Sequence, residues 1–529
     1  MDIHALGNYL ELATKAGRSA LEEKTEQWCS DTKRLKQQSY EFAVLQRTLH
    51  ANPELVGALD HQFSELRLLE PDLEALTAKP SDLETEAFNE LLFLKAWSKP
   101  LNFVPFLLGL WSLLRVYVFP GLAILMPLAM LILPFVLIRF VFNIPLTITR
   151  YTTLVSAIFS GQVATLFNPA ALLTPVSTTP FKIDIFQLLK TGLLIGTVVQ
   201  SFLQPYWIYQ HLASIDTIIV KKAAALRTFK DIYESVRAIL EQHGFKLSKN
   251  PYAADIEDDR QLVAVAHLHP VYLKVALKRL GAFEVLFRSA NRHDVVPVQW
   301  LEASEPHLEL EEAYDFRVAA KQRVPFSVNL GHALLTGPNR GGKSTTLRAV
   351  LSSCTLAHTY GFAFARVAKL TPFGKLYTCL TPEDLPGEKS RFEREIEFTA
   401  QTLKHDKGFA LVLLDELYHS TNPPDAEKAC KLYTERLWQR KNTLSLISTH
   451  LFEFVEGAPA AVQRLCCPAS ERKDGSIDYS YRLTEGVCRV SSVGELLASN
   501  LVGEQPGEQP ARTGEHDPSP SGRGQSRMN

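Results

Sequence analysis

Charged residues are absent from one long stretch in the first half of the chain. Residues 116–138 form a run of 23 residues rich in Leu, Ile, Val and Phe, bounded by Arg115 and Arg139. A helix of this length can cross a hydrocarbon core of about 30 Å. A second uncharged stretch, residues 191–209, ends in aromatic residues that favour the membrane interface. The pattern therefore predicts two transmembrane helices, at residues 116–138 and 191–209.

Prolines and basic residues refine this prediction. Pro120, Pro127 and Pro134 recur within the first stretch, and membrane helices that pack against partners tolerate such prolines. Seven Lys or Arg residues flank the membrane region on its outer sides, against four in the connecting segment. That bias predicts a multi-pass integral membrane protein with both termini in the cytoplasm. A buried hydrophobic hairpin is the alternative, because an apolar content of 46% is also ordinary for a soluble protein.

Helical periodicity is found on both sides of the membrane region. Residues 21–49 and 60–76 precede it, and residues 215–243 and 271–290 follow it. The expected domains are an N-terminal helical region (1–100), a membrane region (101–213), a helical core or lever (214–309), a C-terminal domain (310–502) and a disordered tail (503–529). The tail is rich in Gly, Pro, Ser and Glu and almost free of large apolar residues, a composition typical of disorder.

The C-terminal half has a different pattern. The apolar stretch at residues 333–335 and the continuous apolar run at 409–414 are typical of strands buried on both faces of a parallel sheet, and residues 443–449 also have the pattern of a short buried strand. A helix is predicted after the first stretch, at residues 345–350. Alternation of this kind predicts an α/β domain whose functional residues follow the carboxyl ends of the strands.

A phosphate-binding loop follows the first of these runs. Residues 337–344 read Gly-Pro-Asn-Arg-Gly-Gly-Lys-Ser, with a predicted strand before them and a predicted helix after them. Glycines allow backbone N–H groups to surround phosphates, and the helix offers its positive N-terminal end. Lys343 should reach the β- and γ-phosphates of ATP, and Ser344 should ligate Mg²⁺. The loop residues expected to contact nucleotide are Gly337, Pro338, Asn339, Arg340, Gly341, Gly342, Lys343, Ser344 and Thr345.

Acidic and imidazole side chains follow the next two runs. Asp415 and Glu416 come directly after residues 409–414, and His450 comes directly after residues 443–449. A carboxylate at such a strand end can support Mg²⁺, and its neighbour can deprotonate the attacking water. We therefore expect Asp415 to act on the metal, Glu416 to act as general base and His450 to sense the γ-phosphate. Two acids that merely open a surface loop are the alternative.

These motifs carry a family resemblance. Residues 336–345 closely resemble the T-G-P-N-x-G-G-K-S-T loop of MutS-type ATPases, a branch of the ABC ATPase superfamily best known for DNA mismatch repair. Residues 414–417 resemble the acidic motif of that family, and residues 448–450 resemble its terminal Thr-His. Residues 390–395 are similar to the S-x-F-x-x-E segment that reaches across the family's dimer, and Ser390 is the matching serine.

The resemblance implies an α/β P-loop domain of the ABC/MutS type, preceded by an α-helical core that the transmembrane helices interrupt. It also implies a clamp of two copies, or of this chain and a related MutS-like subunit, with ATP and Mg²⁺ at the interface and DNA as ligand. Ser390 would then act on the nucleotide of the partner subunit. The chain departs from the family after the acidic motif, where Pro423 and Pro424 replace flexible glycines.

Charge and composition limit the function further. The net charge is −1, so any DNA contact needs a local patch, expected near Lys221, Lys222 and Arg227. Phe63-Ser64-Glu65 matches the letters of the family's mismatch wedge, but its helical Leu/Glu context indicates an ordinary helix. Seven cysteines without metal-ligand spacing fit a reducing compartment. The alternative function is an ABC-type membrane-remodelling or transport-associated ATPase that does not bind DNA.

Overall fold

The computed structural model describes residues 1–78, 81–159, 185–252, 256–380, 391–418, 421–472 and 476–491. The chain divides into a helical unit, Asp2–Gln27 with Phe42–His293, and a C-terminal unit, Met1 and Trp28–Glu41 with Asp294–Asn529. The predicted disordered tail, residues 503–529, lies outside the described residues. The inclusion of Trp28–Glu41 in the C-terminal unit was not anticipated from the sequence pattern.

Polar side chains cap several of the helices before Asp294. Thr14 accepts a hydrogen bond from the backbone N–H of Gly17, and Asp258 accepts one from Gln261, so that each satisfies a free donor at a helix start. The helices are α1 (Ile3–Tyr9), α2 (Lys15–Glu26), α3 (Thr32–Ala51), α4 (Pro53–Thr77), α5 (Asp82–Asn89), α6 (Pro105–Leu113), α7 (Phe119–Val136), α8 (Ile148–Phe159), α9 (Ile185–Gln242), α10 (Asp259–Leu268) and α11 (Pro270–Ala290).

The first apolar stretch forms a long helix, Pro105–Val141, that joins α6 and α7 through a π-helical turn at Leu114–Val118. Pro120 follows this turn and lacks an N–H, so the backbone carbonyl four residues earlier needs another donor. The most apolar window of the helix has a mean hydropathy of 2.6, and none of it is buried. Within the described ranges this is the one helix whose length and composition suit a membrane crossing.

The second predicted span, residues 191–209, lies within α9, a helix of 58 residues. The first part of α9 exposes apolar side chains such as Leu193 and Leu203, whereas its second part buries Phe229 and Tyr233 in the core of the helical unit. One continuous helix therefore changes from an exposed apolar face to a packed amphipathic face. The crossing by residues 191–209 stays a prediction.

Phe63 is buried by aromatic packing in the helical unit. Its ring is fully buried in α4 and stacks on Phe287, with 5.8 Å between the ring centroids. Nearby, the buried carboxylate of Glu284 accepts a hydrogen bond from the backbone N–H of Ala13 at 2.6 Å and one from the Thr14 hydroxyl. Burial raises the pKa of Glu284. Phe63 is thus a core residue, in agreement with the helical interpretation of its three-letter match.

The C-terminal unit is a mixed α/β structure. Its main sheet has the order β14-β11-β5-β10-β9-β8, in which only the edge strand β14 is antiparallel to its neighbour. The strands are β1 (Val296–Pro297), β2 (Gln299–Trp300), β3 (Leu308–Ala313), β4 (Phe326–Asn329), β5 (His332–Thr336), β6 (Phe362–Ala363), β7 (Val367–Leu370), β8 (Phe373–Cys379), β9 (Phe409–Leu414), β10 (Thr443–Ser448), β11 (Gln463–Cys466), β12 (Ala469–Glu471), β13 (Ile477–Tyr479) and β14 (Thr484–Glu485).

The buried strands match the strands predicted from the sequence. β9 and β10 coincide with the predicted strands at 409–414 and 443–449 to within one residue, and every residue of β10 is buried. A second sheet has the order β2-β7-β3-β4. The helices of this unit are α12 (Lys343–Tyr360), α13 (Arg391–Leu403), α14 (Pro423–Leu437) and α15 (Phe452–Glu456).

The segment Trp28–Glu41 is held to the C-terminal end of α12. His358 lies 2.7 Å from the backbone oxygen of Cys29 through Nδ1, and its Nε2 accepts a hydrogen bond from the backbone N–H of Phe373 at 3.3 Å. The Trp28 ring stacks on the imidazole at 4.1 Å, and its indole N–H donates to the Phe373 carbonyl. Burial lowers the pKa of His358 to about 4, so this imidazole is neutral at physiological pH.

Candidate functional site

The loop between β5 and α12 adopts backbone conformations that favour glycine. Gly337 has φ +147° and Gly342 has φ +106°. A Cβ atom at residue 337 would lie 2.9 Å from the backbone oxygen of Cys467, because β11 runs directly beside β5. The two glycines therefore allow the chain to turn sharply from a buried strand into the N-terminus of α12. This arrangement leaves backbone N–H groups available to an anion.

Lys343 lies under this loop. Its ammonium donates to the backbone oxygens of Gly337 at 2.9 Å and Pro338 at 3.2 Å, and its side chain is buried. Burial lowers the pKa of Lys343, although the nearby carboxylates of Glu416 and Asp415 oppose that shift. The carbonyl contacts hold the charged end of Lys343 within the loop, where the sequence predicted a phosphate contact.

The two acidic residues follow β9 as predicted, and a neighbouring strand fixes their positions. The Ser448 hydroxyl, at the end of β10, donates to Oδ1 of Asp415 at 2.5 Å and accepts from the backbone N–H of Glu416 at 2.9 Å. Glu416 itself has φ +51°, an uncommon conformation for a non-glycine residue. Ser448 thereby ties the acidic pair to the adjacent strand through the carboxylate of Asp415 and the backbone of Glu416.

His450 connects the acidic pair to the loop. Its Nε2 lies 3.2 Å from Nζ of Lys343 and 3.2 Å from Oε1 of Glu416. A protonated Nε2 donates to Glu416, whereas an unprotonated Nε2 accepts from Lys343, so one nitrogen serves two competing partners. The structure thus brings together the side chains from three strand ends, because β5, β9 and β10 are parallel neighbours.

A cavity of about 500 Å³ adjoins the loop and the first turn of α12. Tyr314, Phe326 and Tyr481 supply aromatic surface to it, and Thr345 lines it from the helix. The guanidinium of Arg323 lies 4.5 Å from the centre of the Tyr314 ring and so adds a positive charge beside that surface. A planar group attached to a phosphate in the loop would fit this chemistry.

The donor set fits a magnesium ion better than a transition metal. Ser344 lies in the first turn of α12, directly after Lys343, and Asp415 supplies one carboxylate. No group of three or more His, Cys, Asp or Glu residues that could hold a metal is present within the described ranges. Mg²⁺ usually takes one or two protein oxygens and completes its shell with water and substrate phosphates. Ser344 and Asp415 are the residues that would hold it.

Ser390 lies outside the described residues. The helix after it, α13, is held to the loop that follows β9, because the Tyr418 hydroxyl lies 2.7 Å from Oγ1 of Thr399. The proline pair also has a local explanation: Pro423 and Pro424 form the first turn of α14, and the side chain of Asn422 caps that helix by accepting from the N–H of Asp425. Prolines suit this position because their fixed φ matches the first helical turn.

Two site residues were not singled out from the sequence. Ser448 belongs to a predicted strand and to the Ser-Thr-His segment. Its position directly before Thr449 and His450 places it on the sheet edge that carries the site. Tyr481 lies about 140 residues after the loop, and its ring stacks on Tyr479 at 5.8 Å. The alternating Tyr-Ser-Tyr pattern at 479–481 could have indicated an aromatic face, but nothing in it identified the cavity.

Comparison with known proteins agrees with the resemblance in the C-terminal unit. Residues 333–502 match the family model of MutS domain V. The DNA mismatch repair protein MutS of Thermus thermophilus is 35% identical over 159 residues, which cover 30% of this chain and 19% of that protein. The MutS protein of Thermus caldophilus has the same identity and coverage. The chain thus spans about a fifth of the length of these relatives, and the MutS-family resemblance is confirmed for this part of the chain.

Proposed function

We propose that the C-terminal unit binds and hydrolyses ATP in the manner of a MutS-type ATPase. One observation carries this proposal: Nε2 of His450 lies 3.2 Å from both the lysine of the glycine-rich loop and the carboxylate of Glu416. Three groups from separate strand ends therefore converge where the loop would hold the terminal phosphate. The match to MutS domain V supports the same conclusion.

Each residue has a distinct task in this proposal. The loop N–H groups and Lys343 hold the β- and γ-phosphates, and the aromatic cavity holds the base. Glu416 accepts a proton from the attacking water. His450, placed between Lys343 and Glu416, responds to the charge of the γ-phosphate by changing which of the two it contacts. Mg²⁺, held by Ser344 and Asp415, would neutralise charge on the phosphate oxygens.

The partners are also part of the proposal. The relatives are described as DNA mismatch repair proteins, and the family resemblance implies two ATPase units that enclose nucleotide at their interface. We extend both properties to this chain, with a second copy or a related MutS-like subunit as partner. Ser390 would act on the partner's nucleotide, as its counterpart does in the family.

Membrane anchoring completes the proposal. The exposed apolar helix Pro105–Val141 supports one crossing, and the exposed apolar part of α9 supports a return crossing. Two crossings would keep both termini in the cytoplasm, where the ATPase unit finds its nucleotide. The basic residues outside the membrane region favour the same orientation.

A second candidate is a membrane ATPase that does not bind DNA. Two of the three basic residues expected to contact DNA are paired within the helical unit: Lys222 pairs with Glu84 at 2.5 Å, and Arg227 pairs with Asp259. Paired charges release fewer counterions on binding DNA and give little affinity. This observation favours a ligand other than DNA for the helical unit.

Measurement of ATP turnover in the presence of DNA separates the two candidates. The purified full chain would be assayed in detergent, alone and with perfect duplex, mismatched duplex or branched DNA, at low and physiological salt. A MutS-type clamp predicts turnover that changes several-fold with at least one DNA. Turnover that is present but insensitive to every DNA at both salt concentrations would reject the DNA ligand and support the membrane-machine alternative.

A further inference from the structure

An open groove lies against one face of α9 at the end of the apolar region. Its volume is about 780 Å³. The α9 residues that line it recur every three or four positions between Gly196 and Leu212, which is the spacing of a single helix face. Glu90, from the segment before the long apolar helix, and Arg115, from within that helix, also line the groove. Both sides of the groove belong to the helical unit.

One end of the groove carries two opposite charges. The guanidinium of Arg115 pairs with the carboxylate of Glu90, and both side chains stay partly exposed, at 37% and 41%. The Trp111 ring, 5.8 Å from the guanidinium carbon, supports Arg115 from another side. Nε of Arg115 is itself buried, so contact with a ligand falls to the terminal nitrogens of the guanidinium. The pair is therefore positioned but keeps capacity for further hydrogen bonds.

The α9 side of the groove is partly polar and partly apolar. Gln200, Gln204 and His211 supply exposed amide and imidazole groups, whereas Val199 and Leu203 are exposed apolar side chains. At Gly196 a Cβ atom would meet nothing within 4 Å, so the groove stays open there. Toward Gly196 the groove runs into the exposed apolar part of α9. The site therefore combines a charged end with an apolar channel.

We propose that this groove binds one phospholipid molecule with a phosphoethanolamine headgroup. The lipid phosphate accepts hydrogen bonds from Arg115 and the Gln204 amide, the primary ammonium donates to Glu90, and an acyl chain lies along Val199 and Leu203. The two charges of the groove sum to zero, which matches a headgroup that carries one charge of each sign. An anionic lipid brings no ammonium to Glu90, so both the Glu90 carboxylate and the lipid phosphate would compete for Arg115 alone, and a choline headgroup has no N–H to donate.

This inference rests on the proposed membrane location, and one preparation tests both. The full chain would be incorporated into nanodiscs of unlabelled phosphatidylcholine that contain a small, increasing fraction of lipid with brominated acyl chains. Bromine quenches tryptophan fluorescence on contact. Trp207 lines the groove and is 65% exposed, so the difference between the wild type and Trp207→Phe isolates its signal from that of the other five tryptophans.

Brominated phosphatidylethanolamine should reach half-maximal quenching at about a tenfold lower fraction than brominated phosphatidylcholine or phosphatidylglycerol. A tenfold difference in affinity corresponds to one well-placed charge contact. Glu90→Gln should remove the preference for phosphatidylethanolamine over phosphatidylglycerol. Gly196→Leu should block the channel and abolish selective quenching, and it should fold because no atom lies close to its Cβ. Gly121→Leu, in equally open space on the long apolar helix, is the matched control and should leave selectivity unchanged.

The outcomes separate the two proposals. Equal quenching by the three lipids in incorporated protein, or selectivity that survives Gly196→Leu, would overturn the lipid site and leave membrane anchoring intact. A preference for phosphatidylglycerol would refute the charge argument. Protein that does not enter nanodiscs and remains soluble without detergent would overturn both the anchoring and the lipid site.

Discussion

Substitution of Gly337 by alanine should weaken nucleotide binding while leaving the sheet intact. The added methyl group would lie 2.9 Å from the backbone oxygen of Cys467 and 3.2 Å from its Cβ, and neither atom can rotate away. The φ angle of +147° adds strain for any residue with a side chain. Relief of both problems requires the loop to move away from β11. The Gly337 carbonyl that holds Lys343 at 2.9 Å would move with it.

The expected loss of ATP affinity follows from the steric contact and the backbone strain. A non-glycine residue in a sparsely populated backbone region destabilises the protein by about 1–3 kcal/mol. Movement of the loop relieves part of this strain, but the same movement displaces the groups that hold the phosphates. A loss of this size in binding free energy corresponds to about a tenfold to hundredfold weaker affinity for ATP. The melting temperature should fall by only a few degrees, because the substitution lies at the end of β5 and not within its paired residues.

The assay is titration of the purified protein with a fluorescent ATP analogue, together with a thermal unfolding curve. Gly331→Ala is the matched control, because that glycine precedes the same strand and its nearest contact is the flexible side chain of Gln463 at 3.7 Å. The control should bind nucleotide as the wild type does. Wild-type affinity in Gly337→Ala would show that the loop does not hold the phosphates in the way the structure indicates.

Three further predictions concern the aromatic cavity beside the loop, the contact of His358 with the segment Trp28–Glu41, and the membrane. Tyr481→Ala should weaken ATP binding by about threefold to tenfold, because the aromatic contact with the base is lost. Tyr479→Ala, outside the cavity, is the control. An equal loss of ATP affinity in both variants would reject a direct contact between Tyr481 and the nucleotide. The pKa of His358 is about 4 in the folded protein against 6.5 when unfolded, so the stability that this residue contributes is complete above pH 6.5 and is lost as the pH falls toward 4. Chemical denaturation should therefore show that the free energy of unfolding falls by about 2 kcal/mol between pH 7.5 and 5, and His358→Gln should remove this loss. The same pH dependence of the unfolding free energy in His358→Gln would disprove the assignment. The wild-type protein should stay in the membrane pellet after washing with alkaline carbonate, and recovery as a soluble monomer would show that the apolar helices form an internal core.

The sequence predicted the parts of the structure that depend on local pattern. β9 and β10 are both buried, and β9 is a continuous apolar run, whereas β10 includes Thr and Ser among its Leu and Ile residues. The residues that follow both strands lie at the edge of the sheet that carries the candidate site. Gly337 and Gly342 were recognisable because few other residues adopt their φ angles. The same logic placed Lys343, Asp415 and His450 on one edge.

Contacts between distant segments were not predictable in this way. The packing of Trp28 on His358 joins positions 330 residues apart, and no periodicity connects them. Tyr481 reaches the cavity only because β11 and β14 return the chain to the edge of β5. The groove along α9 required knowledge of which helix face meets Arg115. Side chains that meet through tertiary packing leave a weak local signal, because their partners are set by the topology.

Glu416 provides the most direct test of the proposed ATPase. Nucleotide affinity and steady-state release of phosphate in the presence of Mg²⁺ would be measured in parallel for the wild type, Glu416→Gln and Lys343→Ala. Glu416→Gln keeps the size of the side chain and its backbone contact to Ser448, but it removes the proton acceptor. It should bind ATP as the wild type does and hydrolyse it at least about a hundredfold more slowly, whereas Lys343→Ala should lose binding. Hydrolysis at the wild-type rate in Glu416→Gln would contradict the account.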